Sequence, residues 1–503
     1  MKAKKRNGRL KILMITSEAV PFAKAGGLAD AVSALSAAAA RAGHDVRIVM
    51  PRYRGVNRAA LRPLAGPLGI PLGTGEWWTA VYETALPQTE AAPVPVYFLE
   101  HDELFQRAGI YGDRAQPSYW DNATRFALLS RGAFQLCRKL AWIPDVFHAH
   151  DWPAGLVPLY RNTLDADAPF HRSATVFTIH NLGYQGIFRG TDFAMTGVDQ
   201  SQFRESALGH RGDINFMKSA IVHADKLTTV SPGYAREIQT ERYGFSLDPV
   251  IRERANDLAG ILNGMDYNLW NPISDPFLPI HYSSSELENK ARLKALLQTE
   301  AGLVADPAIP VFGMVSRLVE QKGVRELAEP GYGALPAICR TGDVQVIIQG
   351  TGEARWENYL AQLDRELPNL KVFLTFNNRI AHLIEAGSDF FLMPSTYEPC
   401  GLNQMYSLAY GTIPVVTRTG GLSDTVTDYT ENPTRGTGFM MESCTPWDIR
   451  QTVDRARTLF ATDRNAFETV RERGMAERFT WDKSVDRYVD VYRAALEKRK
   501  GSP

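Results

Sequence analysis

The chain is short of most features that would place it in a specialised environment. Its 503 residues hold four cysteines, Cys137, Cys339, Cys400 and Cys444. None stands in a C-x-x-C pair, which argues against zinc ribbons and a disulfide framework and predicts four thiols. Neither sign of charge is in excess: Lys plus Arg number 56 and Asp plus Glu number 56, so no net field draws the molecule to nucleic acid or anionic lipid. No apolar run reaches the roughly 18 residues of a membrane span. The opening, Met1 to Arg9, is basic but lacks the apolar core of a signal peptide, which predicts a cytoplasmic protein. Low-complexity tracts, heptads and short repeats are missing as well. Such a composition favours a small molecule or a neutral polymer as substrate.

What the sequence does contain is a duplication. The apolar run from Leu10 to Thr16 leads into Lys24-Ala25-Gly26-Gly27-Leu28-Ala29-Asp30, after which Leu28, Val32 and Leu35 recur at helical spacing. Past the middle, Val311 to Val315 leads into Ser316-Arg317-Leu318-Val319-Glu320-Gln321-Lys322-Gly323. Glycines where a strand hands over to a helix let backbone N–H groups approach an anion, which the helix dipole also favours. Two such half-sites, each with cations, could share one phosphorylated ligand. The length also suits two domains.

Apolar strand candidates at 10–16, 45–50, 94–99, 145–149, 174–179 and 226–230 punctuate the first half, and 311–315, 344–349, 372–376, 390–393, 412–416 and 437–440 the second. Separated by helix-like sequence, they predict an α/β chain with parallel sheets. The first half adds segments rich in Gly, Pro and aromatics, Pro63 to Trp78 and Gln106 to Trp120, which read as loops. Asn263-Gly264 and Asn271-Pro272 read as a turn-rich connection. The expected domains are 1–258 and 259–478, with 479–503 a helix returning to the first.

Arg317 and Lys322 lie on one loop after a strand, where they could neutralise a leaving phosphate; as isolated residues, they fit a solvated surface equally well. Gly26 and Gly27 fit a tight turn as readily as a phosphate cradle, and Lys24 beside them favours the cradle. Glu398 follows a strand and precedes a helix-like stretch, at the carboxyl edge where α/β sheets bind ligands. It could also serve the first turn of that helix, and Gly420-Gly421 share the ambiguity. His180 ends an apolar run, a position that also suits a buried structural histidine. His148 and His150, alternate residues on one face of a strand, with Asp151 beside them could suggest a metal, but no further ligand cluster supports one. No carboxylate pair suggests a double displacement.

Taken in order, Lys24 to Asp30, His150-Asp151-Trp152, Thr178-Ile-His-Asn181, Asn215 to Lys218, Val230-Ser-Pro-Gly233, Leu262-Asn-Gly264, Arg317 with Lys322-Gly323, Glu398-Pro-Cys-Gly-Leu402 and Thr419-Gly-Gly-Leu422 form a specific set. Across nearly the whole chain this set resembles the bacterial glycogen and starch synthases. The resemblance implies a GT-B architecture, two Rossmann-like domains facing across a deep cleft. It also implies a retaining transferase that moves glucose from ADP-glucose to the non-reducing 4-hydroxyl of an α-1,4-glucan, without cofactor or metal.

By the same resemblance, His180, Arg317, Lys322 and Glu398 are catalytic. Lys24, Gly26, Gly27, Asn263, Cys400, Gly401, Leu402, Gly420 and Gly421 would bind donor, and Asp30, Asp151 and Asn181 acceptor. Pro153, Asn403, Phe376 and Tyr406 depart from patterns common among related enzymes. A GT-B transferase with another acceptor, or a non-catalytic glucan-binding protein, is the alternative.

Overall fold

The computed structural model describes residues 8–87, 89, 91–167 and 169–501. Most of the basic opening, residues 1–7, lies outside the described residues, as do 502 and 503 of the expected last helix. The chain forms two compact units, one running to Gly264 and resuming at Trp481, the other Met265–Thr480.

The sheet of the first unit runs, edge to edge, Leu258–Gly260, Lys226–Thr229, Ala174–Ile179, Val146–His150, Lys11–Ile15, Asp45–Pro51, Pro95–Glu100, Gly75–Ala85 and Arg62–Pro63. Pairing is parallel from Leu258–Gly260 to Pro95–Glu100 and antiparallel beyond. Strands such as Ala174–Ile179 are buried at every residue, as a sheet covered on both faces requires. The helix Gly27–Arg41 buries Leu28, Val32 and Leu35, the stripe that its spacing foretold.

One expectation needs correcting here. The stretch Pro63 to Trp78 is not a loop: Leu68–Leu72 pairs antiparallel with Gly75–Ala85. Its Pro71 is exposed and its strand pairs on one side only, where a missing N–H is tolerated. Gln106 to Trp120, by contrast, holds no helix or strand.

The second sheet is parallel throughout, in the order Leu370–Phe373, Gln345–Gln349, Val311–Val315, Phe390–Met393, Ile413–Thr417 and Phe439–Met441. The strand expected at 372–376 sits earlier, and Phe376 beyond it is 81% exposed. Helices Val324–Ala328 and Leu335–Cys339 flank the Pro330-Gly331 break.

The helix Trp481–Gly501 packs on Gly27–Arg41 and on the strands Ala174–Ile179 and Lys226–Thr229 of the first unit. Its inner face is Trp481, Val485, Tyr488, Val489, Tyr492 and Ala495, a helical stripe. Where the chain passes between units, Met265 N donates to Phe479 O at 2.9 Å, and Ser484 Oγ to Leu262 O at 2.6 Å.

Candidate active site

In each sheet the strand order reverses direction at one place, and ligands of open α/β sheets bind at the carboxyl edge there. In the first unit the place lies between Lys11–Ile15 and Val146–His150. The loops leaving it carry Glu18, Lys24 and Gly26 on one side and Asp151 on the other, with His180 one strand further. In the second unit it lies between Val311–Val315 and Phe390–Met393, whose following loops carry Arg317 and Lys322, and Glu398.

The glycine loop of the first unit already holds a carboxyl group, and it is the protein's own. Glu18 Oε2 accepts from Ala25 N at 2.5 Å and Gly26 N at 3.0 Å, while Tyr111 OH donates to Oε1 at 2.5 Å. Burial pushes the Glu18 carboxyl above the usual range, against these hydrogen bonds. A Cβ on Gly26 would meet nothing within 4 Å, so the space beside this loop is open. Lys24 Nζ pairs with Asp30 at 2.9 Å on a partly exposed surface. Sequence reasoning missed Glu18 because its partners lie seven and eight residues further on and meet it only once the loop folds back.

Asp151 caps the next strand with φ 54° and ψ 179°, a combination that side-chain-bearing residues rarely adopt. It is over-determined: its N donates to Thr178 O at 3.0 Å, and its Oδ1 accepts from His180 N at 2.7 Å. Asn181 N lies 3.4 Å from the same oxygen. Burial raises the Asp151 carboxyl to about 8 despite those N–H groups.

Three imidazoles sit behind Asp151. His148 is satisfied on both nitrogens, Nε2 to Thr178 Oγ1 at 2.6 Å and Nδ1 to Tyr492 OH at 2.9 Å. His150 Nδ1 lies 3.0 Å from His180 Nε2. Burial lowers His148 and His180 to about 3 and His150 well below its usual value, so all three are neutral at physiological pH. Among the described residues no group of three or more His, Cys, Asp or Glu is arranged to hold a metal ion. Asn263 is buried with its Oδ1 lacking a hydrogen-bond partner.

In the second unit Lys322 Nζ meets Glu398 Oε2 at 2.5 Å, and Ser395 Oγ donates to the same oxygen at 2.9 Å. Arg317 is exposed on the same loop as Lys322. Gly421 N donates to Glu398 O at 3.0 Å, and a Cβ on Gly421 would overlap Cys400 O, so the two loops need glycine to meet. Gly401 takes φ +71° and Gly420 φ +43°. Leu402 precedes the helix Asn403–Tyr410, and its carbonyl accepts from Met405 N and Tyr406 N.

The departures acquire local roles. Asn403 Nδ2 bonds Val315 O at 2.8 Å, tying the two loop-bearing strands together. Tyr406 stacks on Trp270 at 4.0 Å and 4°. Pro153 stands in the first turn of the short helix Trp152–Ala154, where its missing N–H costs nothing. Other motif residues prove structural: Asn215 and Ser231 cap helices by accepting from Lys218 N and Tyr234 N.

Two largely parallel-sheet units, each presenting charged loops at its switch point, together with the family matches that follow, place the chain in the GT-B class of glycosyltransferases. Residues 11–253 match the family model described as the starch synthase catalytic domain, and residues 302–468 that of glycosyl transferases group 1. The chain belongs to the glycogen synthase family. It is 48% identical to a glycogen synthase of Treponema denticola, over 97% of this chain and 99% of that one. It is 44% identical to glycogen synthase 1 of Geobacter metallireducens, over 98% and 97%. The solved catalytic domain of starch synthase IV from Arabidopsis thaliana, bound to ADP and acarbose, is 29% identical with a TM-score of 0.88, covering 97% of this chain and all of that one. Among the described residues no helix is long and apolar enough to cross a membrane.

Proposed function

We propose that this enzyme transfers glucose from ADP-glucose to the 4-hydroxyl at the non-reducing end of an α-1,4-glucan, with retention, and so elongates glycogen. The observation that carries the reading is the end-to-end likeness to a starch synthase catalytic domain solved with ADP and acarbose. The charges of the second unit fit the chemistry. Lys322, paired with Glu398 at rest, and exposed Arg317 neutralise the diphosphate as the glycosidic C–O bond breaks. Released from Lys322, Glu398 accepts from sugar hydroxyls, while backbone N–H groups at Cys400, Gly401 and Leu402 meet hydroxyl or phosphate oxygens, with Gly420 and Gly421 beside them.

In the first unit Lys24, Gly27 and Asn263 serve the donor, joined by Gly26 where the donor displaces Glu18 from its N–H, and Asp30, Asp151 and Asn181 serve the acceptor. His180 contacts the transferred sugar. A leaving phosphate oxygen takes the proton of the incoming 4-hydroxyl on the same face, so positioning and cations replace a strong base.

Purified protein supplied with ADP-glucose or UDP-glucose and a malto-oligosaccharide primer tests this. The expected result is chain growth with ADP-glucose preferred, in a product degraded by an α-1,4-specific hydrolase. Primer left at its starting length with both donors would overturn it.

A further inference from the structure

The contact between His150 and His180 has a direction, and the environment of His150 sets it. The strands carrying them run parallel with His150 opposite Thr178, so His180 follows at the carboxyl end. His150 is 1% exposed, and its Nε2 is buried without a hydrogen-bond partner, while its Nδ1 lies 3.0 Å from His180 Nε2. One of these two facing nitrogens carries the hydrogen.

If His180 Nε2 were the donor, His150 would bear its own hydrogen on Nε2, leaving a buried N–H without an acceptor. If His150 Nδ1 is the donor, only a lone pair goes unmet at Nε2. Orphaned buried N–H groups are the rarer of the two in folded proteins. His148 cannot relieve the problem, because its ring lies against that of His150, centroids 4.0 Å apart, with both its nitrogens engaged by Thr178 and Tyr492.

We propose that His150 is a positioning residue: its Nδ1–H donates to His180 Nε2 and locks His180 in the tautomer that carries its hydrogen on Nδ1. His180 Nδ1 makes no hydrogen bond among the described residues, and His180 retains some solvent exposure, so the locked N–H is held ready for a substrate oxygen. The use made of that N–H rests on the reading that His180 meets the transferred sugar; the tautomer itself does not. Burial keeps both rings neutral, so a single hydrogen is shared between the facing nitrogens.

The direct test is a long-range ¹H–¹⁵N spectrum of protein labelled at histidine, with His180 assigned through His180→Gln. A pyrrole-type Nδ1 and pyridine-type Nε2 at His180 is expected; the reverse pattern overturns the proposal. Kinetics supply the second arm. His150→Leu should lower kcat on the order of tenfold with donor KM little changed, the size of effect expected from one misdirected hydrogen bond. His150→Asn, which returns an amide N–H near the Nδ1 position, should recover most of that loss. Undiminished kcat in His150→Leu, or no recovery in His150→Asn, would count against positioning. Should His150→Leu fail to fold, the wild-type spectrum alone decides. Full turnover in His180→Ala would overturn the sugar contact and the kinetic arm with it, while the spectrum still judges the tautomer.

Discussion

Lys322 Nζ stands 2.5 Å from Glu398 Oε2, so the cation of one switch-point loop is neutralised by the acid of the other. Both are largely buried, with side chains 19% and 7% exposed, which makes the pair a preset charge exchange. On the proposed function, an arriving diphosphate would take the cation and free the carboxylate for hydroxyls. Ser395 Oγ keeps the acid oriented while the partner changes.

Arg317→Ala and Lys322→Ala should each cut turnover on the order of a hundredfold, the roughly 3 kcal/mol of one lost transition-state contact. Steady-state transfer assays beside glucan-affinity electrophoresis measure this. Turnover near wild type in either variant would remove that residue from the leaving group.

Gly421→Ala should lose both thermal stability and turnover, because its Cβ would overlap the Cys400 carbonyl; overpacking of this kind costs roughly 1–3 kcal/mol. Cys400→Ser should keep substantial activity, since the expected contacts at this position are backbone ones. Thermal melts and rates on the two variants should therefore diverge. A benign Gly421→Ala with an inactive Cys400→Ser would mean that the thiol, not the backbone, matters.

Acid should destabilise the first unit. His148 and His180 are depressed to about 3 in the fold against 6.5 unfolded, so below pH 6.5 the unfolded chain binds protons that the native one refuses. That stability is present above pH 6.5 and is lost as pH falls toward 3. His148→Gln should flatten the fall of the melting temperature over this range; an unchanged slope would mean that the ring takes up a proton in the native state.

Asp151 contributes the opposite slope. Its carboxyl, raised from 3.8 to about 8, favours folding below its unfolded value, and that stability drains away as pH rises through 8. Asp151→Asn keeps an oxygen for His180 N and should melt higher than wild type at pH 8–9, with the gap closing below about 4. Equal melting temperatures at alkaline pH would show that Asp151 is ionised there at no cost.

Treatment with a chelator should leave transfer intact, because on the proposed function Arg317 and Lys322 supply the charge facing the diphosphate. Loss of activity restored by a divalent ion would reopen the question of a metal.

The parallel strands were mostly legible because they are apolar runs such as Val311–Val315, buried on both faces and bounded by polar turns, whereas the antiparallel strands Gly75–Ala85 and Arg62–Pro63, partly exposed along their length, were missed. Three further kinds of element were missed. Leu68–Leu72 carries Gly69 and Pro71, tolerable because it pairs with one neighbour only, so composition disguised it. Leu258–Gly260 is three residues of partly buried edge, too short for any periodicity. Ile187–Phe188, Gly209–His210 and Asp213–Asn215 make a small antiparallel sheet from strands of two and three residues.

At the site, sequence order located the loops through their glycines and strand ends. It could not reveal pairings that only the folded loops create. Glu18 facing Ala25 and Gly26, Lys24 facing Asp30, and His150 facing His180 all depend on where a loop turns back or which strands adjoin.

Because the chain leaves the first unit after Gly264 and re-enters it at Trp481, the second unit is a guest inserted into a host. A ribosome emitting this chain delivers most of the host sheet first, then the entire guest, and only then the helix whose Tyr488 and Tyr492 cover the host. Until that moment the Ala174–Ile179 and Lys226–Thr229 strands lack their outer layer, and His148 lacks its tyrosine partner. The host can therefore finish folding only after its guest has emerged, so an abortive nascent chain exposes apolar sheet for a chaperone or a protease to find.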